Sequence, residues 1–287
     1  MTTKSGPPNS ERASATTPRP APRKRKRKRI QQGWIPDHHG AWAMIIIPAL
    51  SGAIIAGFGW IHLPLLLFWW IGYFFFQAAM LWLKSRRKPR YFPPVRAYAI
   101  AAIPFGAAVA VMRPQLAFWV FAFAPLIAIA VWSTLNRKER SYLNDTATIL
   151  AACLMLPVTF HANASHGDPR WIWVWLVFAI QFAYFWGTIP HVKALIRERD
   201  RPEAALFSTI YHVAMFVIVT VLVLFGLYEP ALWGGWFLAI VWALLALRSY
   251  VMPWWQRRTK PLKPLTPIVI GFTEIGFSLL IVAALLI

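Results

Sequence analysis

Lys and Arg fall on every second connection between nine apolar stretches of about bilayer-crossing length, and this alternation constrains the chain more than any other feature. The stretches run over roughly 41–60, 63–83, 97–112, 115–135, 143–161, 171–191, 206–228, 231–251 and 266–287. Connections after the second, fourth, sixth and eighth stretches carry eighteen Lys and Arg, with Arg248 counted among them; the others hold only Arg113 and Arg170. Basic loops resist translocation, so these connections are expected on the cytoplasmic side. The pattern predicts an all-α fold, a polytopic membrane helix bundle of about nine transmembrane helices, with its N-terminus cytoplasmic and its C-terminus outside.

With 58% hydrophobic content over 287 residues, the chain has too little polar surface for a soluble globule. Its net charge of +20 would suit a nucleic-acid partner, but the charge sits in the tail and in the cytoplasmic connections. Topology and contact with anionic lipid headgroups account for it, and no nucleic acid is expected. Residues 1–32 are rich in Ser, Thr and Pro, carry the run Arg23 to Arg29 and show no apolar period, so they read as a disordered basic tail. Residues 33–287 read as one transmembrane helical domain. No cleavable signal is expected, because the charged region is long and the first apolar run is of spanning length. Cys153, the only cysteine, falls inside a span and reads as a packing residue.

Ionisable groups within or at the mouth of a membrane domain are costly unless they pair or meet water, which makes each a candidate for function. His39 precedes the first span, Asp145 opens the fifth, His191 closes the sixth, His212 lies early in the seventh and Glu274 early in the ninth. All belong to the cytoplasmic side. Glu274, about 12 Å along its helix, requires a histidine or arginine partner from a neighbouring inner end, or a proton of its own. The segment from Pro190 to Pro202 adds Lys193, Arg197 and Arg199. It reads either as an amphipathic extension on lipid or as a phosphate or carboxylate site in which an Arg binds bidentately and His191 moves a proton. The candidate ligand-binding set is therefore His39, Asp145, His191, Lys193, Arg197, Arg199, His212 and Glu274. A metal centre drawn from these histidines and Glu274 has no supporting ligand spacing, so no metal is expected, and no cofactor is specified. On the other side, His161, His166 and Asp168 read as a solvated loop cluster.

Pro36, His39, Gly40 and Trp42 fit a P-x-x-H-G-x-W pattern at the head of the first span, with His38 where a glutamine is more usual. Together with His191-Val192-Lys193 and Ile196-Arg197-Glu198-Arg199, these residues resemble the YwiC-like family of prokaryotic membrane proteins, over about residues 34–287. The resemblance implies a multi-pass protein of the prokaryotic cytoplasmic membrane, and that His39 and His191 belong together. It implies no particular activity. Nine spans are also similar to the architecture of intramembrane prenyltransferases. However, residues 84–96 contain no acid and no D-x-x-x-D motif follows the sixth span, so the magnesium ligands of that chemistry are missing. The leading expectation is a cytoplasm-facing polar pocket for an anionic or lipid-like ligand. The alternatives are a proton-coupled transporter relaying protons through Glu274 and His212, a divergent prenyltransferase-like enzyme, and a membrane assembly protein. Oligomeric state is not legible.

Overall fold

The structure, a computed structural model, describes residues 33–36, 41–227, 232–259 and 265–286. Among these, the chain forms nine α-helices: α1 Ala41–Ala56, α2 His62–Lys84, α3 Phe92–Met112, α4 Val120–Leu135, α5 Tyr142–Asn163, α6 Trp171–Ile196, α7 Pro202–Leu224, α8 Leu232–Thr259 and α9 Pro267–Leu286. Two 3-10 segments, Pro89–Tyr91 and Pro114–Trp119, lead into α3 and α4. Eight of these helical segments are long and apolar enough to cross a membrane. The remaining helix, α1, has 16 residues and a length of about 24 Å, short of the hydrocarbon core of about 30 Å. The basic tail, His39 and the rest of the P-x-x-H-G motif except Pro36 and Trp42 lie outside the described residues.

Local chemistry sets several boundaries. Ser141 caps α5 by accepting a hydrogen bond from the Asn144 amide at 3.2 Å. Pro202 opens α7, where a missing amide proton has no consequence. Interior prolines at positions 48, 104, 125, 157, 190 and 253 remain within helices, as is tolerated where neighbouring groups satisfy the freed carbonyls.

The core is organised around α5 and α6, the former being the most enclosed span. Leu156, Phe160, Tyr184 and Trp242 are among its largest fully buried side chains. Helix α1 lies directly on α5 because Gly52 and Ala53 present almost no bulk: a Cβ at Gly52 would collide with the Leu156 carbonyl and the Thr159 hydroxyl. Ala53 is fully buried, and Gly57 follows the end of α1 at φ +77°. Helices α2 and α3 pair at one side, and α7 and α8 at the other. Helix α9 packs on α8, α1 and α6, bringing its polar residues against the centre. Outward faces carry bare apolar side chains such as Ile103, Phe121 and Ile210, the pattern expected of a surface solvated by lipid.

Candidate functional site

His191 on α6, His212 on α7, Arg248 on α8 and Glu274 on α9 meet in one buried cluster. Their residue exposures are 0%, 1%, 7% and 9%, so protein encloses nearly all of each group. Arg248 Nη1 donates to Glu274 Oε1 at 2.5 Å. The same carboxylate oxygen lies 4.0 Å from His191 Nε2, and the rings of His191 and His212 are 6.0 Å apart, centre to centre. His212 Nδ1 is 2.7 Å from the Ser208 carbonyl, a bond that would place the proton on Nδ1. Gly187 makes room for this arrangement, since a Cβ there would lie 2.7 Å from Tyr211 Cε1 and 3.2 Å from His212 Nε2.

Helix α9 is fixed beneath the cluster by Tyr184, whose hydroxyl donates to the Glu274 backbone carbonyl at 2.8 Å and lies 3.1 Å from Ser278 Oγ. One face of the Arg248 guanidinium covers the Phe277 ring, 4.7 Å from its centre. The guanidinium is thus held by one nitrogen and one face. Its other edge, Nε and Nη2, is buried and finds no hydrogen-bond partner among the described residues. Both His191 nitrogens and Glu274 Oε2 are likewise unbonded. Buried groups of this kind cost about 1–3 kcal/mol each when left unsatisfied, and more when charged, so the cluster is an unusual place to leave donors idle.

Three of the eight residues selected from sequence, His191, His212 and Glu274, converge here. Asp145 and Lys193 form a separate pair at 2.9 Å, with the Lys193 ammonium 3.5 Å above the Tyr142 ring. Lys193 follows His191 by two residues and therefore projects from roughly the opposite side of α6. Arg197 and Arg199 are exposed beyond the end of α6, and Arg199 Nε lies 3.8 Å from Asp200 Oδ2. His39 lies outside the described residues. Among those described, no three His, Cys, Asp or Glu side chains are placed to hold a metal ion. The residue that sequence reasoning missed is Arg248. Its signal was present, because it falls three residues inside the end of the eighth apolar stretch, where a charge must be paired.

At the opposite end of the bundle the polar residues have structural employment. Asp168 binds Arg170 through both carboxylate oxygens, at 3.0 and 2.7 Å, while Arg170 Nη1 donates to the Ile55 carbonyl at 2.6 Å. The Trp119 indole donates to His161 Nδ1 at 3.0 Å. The Arg170 contact ties the C-terminal end of α1 to the loop between α5 and α6, and the Trp119 contact ties the 3-10 segment before α4 to α5.

A bundle of apolar spans enclosing one charged, partly unsatisfied cluster defines an integral, multi-pass α-helical membrane protein. The YwiC-like protein family model matches residues 35–160, from the head of α1 through most of α5. The chain is 30% identical over 181 residues to the Bacillus subtilis protein described as "Uncharacterized protein YwiC", covering 63% of this chain and 74% of that one. It is 27% identical over 187 residues to a Haemophilus influenzae protein described as "Uncharacterized protein", covering 65% and 77%. The chain belongs to the YwiC-like family. No solved structure matches it.

Proposed function

We propose that this protein binds an anionic group, a carboxylate or phosphate, at the cytoplasmic side of the prokaryotic cytoplasmic membrane, with Arg248 as the principal ligand-binding residue. The observation carrying this reading is the buried Nε–Nη2 edge of Arg248, which has no hydrogen-bond partner among the described residues. That edge is the planar fork which binds carboxylates and phosphates through two parallel hydrogen bonds. His191, with neither nitrogen bonded among the described residues, supplies an adjacent donor. Glu274 and Phe277 hold the guanidinium in place, so little side-chain freedom is lost on binding. The cytoplasmic assignment rests on the basic connections, which include those flanking the inner ends of α6 and α8. His39, which the sequence resemblance groups with His191, lies outside the described residues and is no part of this geometry.

Anionic lipid headgroups and free anions share the same chemistry, and the test must separate them. Purified full-length protein is titrated calorimetrically with acetate and with inorganic phosphate, and reconstituted separately in nanodiscs with and without phosphatidylglycerol. Binding in either arm that Arg248→Gln abolishes while the variant remains folded supports the reading and identifies the source. Unchanged binding in Arg248→Gln, no binding in either arm, or a site filled by water alone in a high-resolution structure overturns it.

A further inference from the structure

Arg248 and Glu274 form a neutral pair when Glu274 is ionised, so a bound anion would leave the buried cluster with a net negative charge. Uncompensated charge is strongly disfavoured in such surroundings. The compensating charge must come from the groups facing Glu274. From α8 this is Arg248, already positive. Helix α6 supplies His191 at 4.0 Å, together with Tyr184, whose hydroxyl is engaged with the Glu274 backbone. His212 of α7 stands behind His191, and α1 contributes no ionisable side chain. Helix α9 carries no other ionisable residue.

We propose, resting on the anion-binding reading above, that each monovalent anion bound at Arg248 brings one proton with it, taken up by the Glu274–His191 pair. Glu274 Oε1 is the oxygen shared between Arg248 Nη1 and His191 Nε2. Protonating the carboxylate weakens its hold on Arg248 and leaves the guanidinium charge for the incoming anion. Protonating His191 instead gives the same net charge and keeps the Arg248–Glu274 bond. Either route takes one proton from solution and requires no other reactant. Glu274 thus acts as an internal competitor for the guanidinium, and the site becomes a proton–anion binding site in which the two ions favour one another.

The test uses the full-length protein with acetate, whose own titration is complete over the range of roughly pH 6 to 8. Proton uptake is measured in weakly buffered solution alongside affinity. The expected result is one proton per acetate and an affinity falling about tenfold for each pH unit gained. Glu274→Gln should bind acetate without proton uptake and with an affinity independent of pH. Acetate binding without proton uptake in the wild type, or continued uptake in Glu274→Gln, overturns the coupling but leaves the anion-binding reading intact. If acetate fails to bind and phosphate replaces it, the same measurement is made with phosphate after subtracting its own protonation. Failure of both to bind, in detergent and in nanodiscs, overturns the anion reading itself. The wild-type stoichiometry decides the matter even if Glu274→Gln does not fold.

Discussion

Glu274 Oε1 lies 2.5 Å from Arg248 Nη1, a contact that joins α9 to α8 through two residues only 7% and 9% exposed. Burying this pair costs desolvation that the mutual attraction barely offsets, so its presence alone is weak evidence of a stability role. Removing one partner is a different matter, since it leaves an uncompensated charge among apolar helices. Arg248→Gln should therefore lower stability in detergent by about 3–5 kcal/mol, and adding Glu274→Gln should restore part of the loss. Thermal unfolding of the two single variants and the double variant measures this. Additive losses would mean that the two residues do not form a functional pair.

Gly52 lies tightly against the α5 backbone, and the contact leaves no room for a side chain there. Gly52→Ala should separate α1 from α5 because the new methyl meets backbone that cannot rotate away. The expected cost is about 1–3 kcal/mol, read as a reduced unfolding temperature. Ser51, the residue before Gly52, accepts a bond from Gln181 at 2.8 Å, so Gln181→Ala should add to the loss by stranding a buried hydroxyl.

Much of the architecture follows from the sequence for one reason: a span in lipid must be both long and apolar, so its extent is written in composition. The ends are harder to read. Helix α6 runs to Ile196 and α8 to Thr259, beyond the apolar stretches that announce them, because Lys193 and Gln256 find partners on neighbouring elements. The same effect conceals Arg248. Counted with the basic connection that follows, it looks like a topology determinant, although about three turns of helix separate it from the end of α8. His191, His212 and Glu274 stand out because each is an isolated ionisable group in an apolar run, while Arg197 and Arg199 stand out for charge density alone and belong to the exposed edge. Which ionisable groups meet depends on how α6, α8 and α9 cross, and no local pattern encodes that.

Because Arg197 and Arg199 lie outside the cluster, replacing both with Gln should leave acetate affinity within about twofold of the wild type at moderate salt, where exposed charges are screened. Equilibrium titration measures the ratio. A loss of tenfold or more would place the anion at the membrane edge instead of at Arg248.

Lys84 and Glu139 pair at 2.9 Å, joining the connection after α2 to the one before α5. Burial would raise the Glu139 carboxyl, but hydrogen bonding and attraction from Lys84 outweigh it and hold the group below its ordinary value. A depressed carboxylate stabilises the fold at pH above its unfolded value of about 4.3, and this contribution disappears as pH falls through the folded value. The Lys84 side chain is 56% exposed, which limits the effect to less than about 1 kcal/mol. Lys84→Met should lower the unfolding temperature slightly at neutral pH and have no effect in strong acid. A difference that persists unchanged in acid would contradict the assignment.

The most direct measurement concerns the Arg248 side chain itself. In protein labelled with nitrogen-15 at arginine, the Nε–H signal absent from Arg248→Lys identifies the residue, and acetate, phosphate and phosphatidylglycerol are added in turn. Binding at the Nε–Nη2 edge makes Nε a donor to the anion, so this signal should move to lower field and saturate with the calorimetric affinity, while the signals of Arg197 and Arg199 remain in place. An Arg248 signal that stays fixed through all three additions, as anion binds elsewhere or not at all, would contradict the account.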